Sequence, residues 1–112
     1  MTKLWDGLRN YGADVDGAMA RFLDDEVLYG ACFSAFLADE AFPALGKALA
    51  TGDYAAAFDC AHTLKGVTGN MGLTPLYEVL CTAVETMRQG GTQGLDENYQ
   101  EICRQLELLR QL

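Results

Sequence analysis

Apolar residues recur at helical spacing along nearly the whole chain, and no segment alternates with the period of two that marks a strand. Residues 3 to 10 predict a short helix with Leu4, Trp5 and Leu8 on one side, ended by Gly12. Asp14 or Asp16 can cap a second short segment carrying Val15, Met19 and Phe22. These two pieces read as a lid on one end of a bundle, with Trp5 as a core anchor. Asp24, Asp25 and Glu26 place negative charge at the start of a third helix, where the helix dipole favours it. Its apolar positions are 28, 32, 36 and 37, then 45 and 49. Pro43 lacks a backbone donor, so it must bend this helix or break it in two near Glu40. The favoured expectation is one long helix, kinked there, reaching about Ala50.

Asp53 is the natural N-cap of the next helix, over residues 53–72. Gly72 stops it, and Thr74-Pro75 supply the N-cap and first residue of a further helix. That helix, 75–89, carries Leu76, Val79, Leu80, Ala83 and Met87. Gly90 to Gly94 is a glycine-rich connector; it has no lysine and follows no strand, so it does not suit a phosphate cradle. The last helix runs from about Asp96, with Tyr99, Ile102, Cys103, Leu106 and Leu109 as its stripe. Four amphipathic helices of about 14 to 25 residues joined by short loops predict an all-α protein. The expected architecture is an up-down-up-down four-helix bundle with a short N-terminal helical lid, one domain over residues 1–112.

The helix 53–72 separates into two faces at about 100° per residue. Ala57, Cys60, Leu64, Val67 and Met71 fall on one side, with Ala61 and Thr68 at its edge. Phe58, Asp59, His62, Lys65, Gly66 and Gly69 fall on the other. His62 is the single histidine of the chain. A glycine inside a helix costs about 1 kcal/mol relative to alanine, and two stand on the histidine face. Gly66 could be a C-cap that ends the helix early. Against that, Leu64, Val67 and Met71 continue the apolar stripe past it, which favours a mid-helix glycine that keeps the face bare.

Composition narrows the function classes. With 112 residues, half of them hydrophobic, there is room for one core without metal or disulfide. No apolar run approaches the roughly 18 residues of a membrane span, and no signal peptide is visible, so a cytoplasmic protein is expected. Sixteen acidic against eight basic residues, net −8, argue against a nucleic-acid surface. Cys32, Cys60, Cys81 and Cys103 form no CxxC or Cys/His pair, so they are expected as buried free thiols on four different helices, and no metal site is expected.

The string His62-Thr63-Leu64-Lys65-Gly66, followed by Asn70 and Gly72-Leu73, resembles the signature of histidine-containing phosphotransfer (HPt) domains. Arg21-Phe22, Asp25-Glu26, Tyr29, Phe36-Leu37 and Gly52-Asp53-Tyr54 sit at the spacings that family shows. The resemblance implies a phosphorelay module in which His62 accepts and donates a phosphoryl group. It implies as partners the receiver domains of response regulators or a hybrid histidine kinase, with the acceptor aspartate and magnesium on the receiver. The chain itself is then a monomeric carrier, with no cofactor and no ATP-dependent kinase activity of its own. Asp59 departs from the family pattern, where a basic or neutral residue is more usual.

The residues allow the same chemistry. A metal ligand needs company, and the helix neighbours of His62 are Phe58, Asp59, Lys65 and Gly66. Cys60 points elsewhere and cannot pair with His62 as nucleophile and base. A phosphoryl-accepting imidazole needs only exposure, an in-line approach and charge neutralisation, which Lys65 can offer as a point charge. Gly66 and Gly69 would admit a partner's backbone, and Phe58 either anchors a docking patch framed by Asp59 and Lys65 or folds onto a neighbouring helix. The alternative from another class is a helical adaptor that binds receiver or kinase domains without carrying phosphate. A carboxylate-bundle metal enzyme is the distant third, since it requires Glu-x-x-His pairs on facing helices.

Overall fold

The computed structural model describes residues 2–112; Met1, the first residue of the expected single domain, lies outside them. Seven helices account for the regular structure of the described residues, and none of these residues is in a strand. They are α1 (Thr2–Tyr11), α2 (Val15–Arg21), α3 (Glu26–Leu37), α4 (Ala41–Thr51), α5 (Tyr54–Asn70), α6 (Thr74–Arg88) and α7 (Leu95–Arg110). Helices α4, α5, α6 and α7 pack as successive neighbours, and α7 returns to touch α4 and α3. The protein is all-α, a bundle 41 Å long and about half as wide. No described helix is long and apolar enough to cross a membrane.

The expected long, kinked helix is in fact two, α3 and α4. Ala38 ends the first, its N–H shared between the carbonyls of Ala35 and Phe36. The Asp39 carboxylate then accepts the N–H of Ala41 at 2.8 Å. This places Pro43 in the first turn of α4, where a missing N–H costs nothing because it had no intrahelical acceptor. In a continuous helix the proline ring would instead strike the carbonyl of Asp39.

The core also uses a different face of α3 than expected. Tyr29, Phe33 and Phe36 are buried there, while Leu28 is 48 % exposed and Cys32 only half-buried. In α4 the buried set is Phe42, Leu45 and Ala48. The thiols are free but none is fully buried: Cys32, Cys60 and Cys81 sit at helix margins and Cys103 is exposed. In α7 the position expected of Cys103 is taken by Gln105, held by its amide donating to Glu101. At the start of α6, Leu73 rather than Thr74 holds the cap position, and Thr74 is the first helical residue.

α1 and α2 clamp the turn between α5 and α6. The Asp14 N–H donates to the Gly72 carbonyl at 2.8 Å, and the Leu76 N–H donates to the Tyr11 hydroxyl at 3.2 Å. Burial pushes the Tyr11 hydroxyl up to about 12. Gly72 is required twice: its φ is +73°, and a Cβ there would lie 2.6 Å from the Asp14 carbonyl oxygen. Trp5 is 6 % exposed, its ring 4.6 Å from that of Tyr29, and its indole N–H donates to Glu26. The Tyr29 hydroxyl in turn donates to the carbonyl of Met71. The aromatic cluster thus ties the first three helices to the C-terminal end of α5.

Candidate functional site

α5 begins at the Asp53 cap, whose carboxylate accepts the Ala56 N–H at 3.2 Å. Its buried line is Ala57, Ala61, Leu64 and Thr68. Ala61 and Thr68, expected at the edge of the stripe, are its centre, and Cys60 and Val67 flank it half-buried. Thr68 can occupy the core because its hydroxyl donates to the Lys65 carbonyl at 2.9 Å. The Cys60 thiol is pushed up by burial first, then by the charges of Asp59 and Asp39, which keeps it protonated rather than nucleophilic.

His62 is exposed midway along α5. The ring of Phe58, one turn earlier, stacks on the imidazole at 5.7 Å between centroids and 14° between planes. Phe58 is half-buried against the core. The Arg88 guanidinium, also paired with Glu85 at 3.2 Å, stands 5.7 Å from the Phe58 ring centroid. Beside Phe58 opens a cavity of about 400 Å³ that Tyr54, Asp59 and Met87 also line. Asp59 is exposed and, among the described residues, has no hydrogen bond or ion pair to His62.

On the other side of His62 lies a second open cavity of about 420 Å³, shared with Lys65, Gly66, Gly69, Asn70, Arg21 and Tyr77. Lys65 is half-buried, and its ammonium enters no ion pair among the described residues. The two glycines differ. Gly66 is inside α5, so it is not a C-cap, and a Cβ added there would meet nothing within 4 Å. At Gly69 a Cβ would lie 3.1 Å from the Tyr77 ring. The bareness of Gly69 therefore also makes room for a side chain of α6, while the residue still lines the open cavity beside His62.

Sequence reasoning missed Tyr77 and Arg21 as members of this site. The signal for Tyr77 was a glycine and an aromatic residue on consecutive helices, each within about one turn of helix from the loop between them. The signal for Arg21 was its place in the spaced motif ahead of α3. Among the described residues, no three His, Cys, Asp or Glu side chains converge to hold a metal ion.

An exposed histidine thus stands midway along α5, with Lys65 and the uncrowded Gly66 one turn on. The family model described as Hpt domain matches residues 37–112. The search of curated proteins and the search of solved structures gave no match. The chain belongs to the Hpt domain family, the helical modules that carry phosphoryl groups on histidine in phosphorelays and are not kinases.

Proposed function

We propose that His62 is the phosphoryl-carrying residue and that it exchanges the group with an aspartate on a receiver domain. The observation that carries this reading is the exposure of His62 beside an unpaired Lys65 and a Gly66 with open space above it. In the forward step an imidazole nitrogen attacks the phosphorus of the receiver's acyl phosphate. The P–N bond forms, the P–O bond to the aspartate breaks, and the carboxylate leaves with the electron pair. The imidazole N–H proton passes to solvent, and the reverse step restores it. The Lys65 ammonium lies one turn from His62 and meets the non-bridging oxygens as charge gathers on them. Stacking on Phe58 limits rotation of the imidazole, so that its approach to the phosphorus is set before the partner arrives. Magnesium, where the transfer uses it, would be held by the receiver's carboxylates beside the acceptor aspartate.

The test is to incubate the protein with phosphorylated receiver domains and to follow acid-labile, base-stable label on it. Lys65→Ala should leave the fold intact and slow transfer by about tenfold or more. Label that is never acquired, together with unimpaired receiver binding, would support the non-phosphorylated adaptor instead.

A further inference from the structure

We infer that Arg21 is an anion-binding residue of the docking surface: it takes a carboxylate of the receiver's face beside the phosphorylated aspartate and so contributes to partner choice. The inference rests on the phosphohistidine reading above and extends it to a residue of α2. Arg21 is exposed, yet it is held in place, because its Nε–H donates to the carbonyl of Asn70 at 2.7 Å. Among the described residues its two terminal amines have no acceptor and no ion-pair partner. The guanidinium lines the same 420 Å³ cavity as His62 and Lys65. An arginine whose Nε is committed and whose terminal amines are free presents a preorganised fork for a planar anion.

Distance decides between catalysis and docking. Asn70 follows His62 by eight residues, about 12 Å along the helix axis. Arg21 is thus too far on to touch a phosphoryl group carried by His62, and it meets the partner's surface instead. Charge decides what kind of surface. The chain carries a net charge of −8, so an anionic partner is repelled everywhere except where cations stand free. Arg9, Arg88 and Arg104 are engaged with Asp16, Glu85 and Glu101. Lys3, Lys47, Arg110, Lys65 and Arg21 enter no ion pair among the described residues, and of these Lys65 and Arg21 share the cavity of His62. The donor's face around its acyl phosphate is anionic by its chemistry, so the two cations of this cavity mark the side from which that face can approach His62. Two carboxylates temper this field: Asp59 is exposed beside Phe58, and Asp14 caps α2 on the Arg21 side without pairing with it.

The experiment uses the whole chain and two phosphoryl donors: a receiver domain that transfers to the wild type, phosphorylated with acetyl phosphate, and phosphoramidate, which is too small to dock. Rates of His62 labelling are measured against receiver concentration for wild type, Arg21→Gln, Arg21→Lys and Arg104→Gln. Arg21→Gln should raise the half-saturating receiver concentration about fivefold. It should leave the rate at saturation and the phosphoramidate rate within about twofold of wild type. Arg21→Lys, which keeps the charge and loses the fork, should recover part of the loss. Arg104→Gln removes the same charge on α7 and should change nothing. An unchanged half-saturation in Arg21→Gln overturns the inference, as does an equal rise in Arg104→Gln or an equal loss with phosphoramidate. A wild type labelled by neither donor overturns the phosphohistidine reading itself, and phosphoramidate labelling without transfer from any receiver overturns the receiver as donor; each is a different result from the first three.

Discussion

α3 and α5 each turn one face to the core, but they differ in what the other face carries. From Val27 to Ala38 the sequence of α3 has no charged residue. Its inner face carries Tyr29, Phe33 and Phe36, and apolar residues continue round to an outer face where Val27 is 78 % exposed. The outer face of α5 carries Asp59, His62 and Lys65 over an inner face of Ala57, Ala61, Leu64 and Thr68. The small inner residues of α5 let α4 and α6 approach closely, and bulk is supplied from elsewhere. Much of that bulk is the aromatic cluster of Trp5, Phe22, Tyr29 and Phe33, whose successive rings lie 4.6 to 6.2 Å apart. α3 thus presents packing residues alone, whereas α5 also presents the proposed site on its outer face, so substitutions on α3 and on the outer face of α5 should separate stability from transfer.

The sharpest break falls on α3. Phe33→Ala removes a nearly buried ring and should cost about 3–5 kcal/mol. Denaturant titration measures the loss, and any phosphoryl transfer that remains should follow the folded fraction. Next, Tyr29→Phe removes the hydroxyl that donates to the Met71 carbonyl and leaves that acceptor without its partner. It should cost about 1–3 kcal/mol in the same titration, with transfer by the folded protein unchanged. On α5 the direction reverses. Gly66→Ala should stabilise by about 1 kcal/mol, since the site is helical and open. Gly69→Ala should gain less, because the new methyl must push the Tyr77 ring aside. Equal gains at both positions would mean that Tyr77 does not hold the place described for it. Gly66→Leu extends the contrast: the melting temperature should hold while transfer from a receiver collapses.

The same comparison explains what the sequence made legible. On α5 the charged and glycine positions mark an outer face, so His62, Lys65 and Gly66 were assigned to the solvent side from spacing alone. The centre of the inner face was still misplaced by one position. A threonine and an alanine looked less apolar than a cysteine and a valine, and the hydroxyl's local acceptor, the Lys65 carbonyl, is invisible in a helical projection. On α3 no charged residue after Glu26 distinguishes a face, and one serine is too little for periodicity to orient the helix; the partners Trp5, Phe22 and Met71 do. The break at Ala38–Glu40 is hard to read because a proline marks a kink inside a helix and the first turn of a new one equally well, and only the Ala38 and Asp39 hydrogen bonds show which. Arg21 and Tyr77 reach the site across element boundaries, through Asn70 and Gly69, and no pattern within one helix reports such contacts.

The central claim is that a histidine on the bare face of α5 carries the phosphoryl group. Its most direct test is ³¹P NMR of the protein treated with phosphoramidate, wild type beside His62→Gln, with both shown folded by circular dichroism. Imidazole attack on phosphorus forms the P–N bond as ammonia leaves, so the wild type should show one phosphohistidine resonance, stable in base and lost in acid. His62→Gln should show none. A phosphorus resonance that persists in His62→Gln, or a wild type that acquires none, would contradict the account.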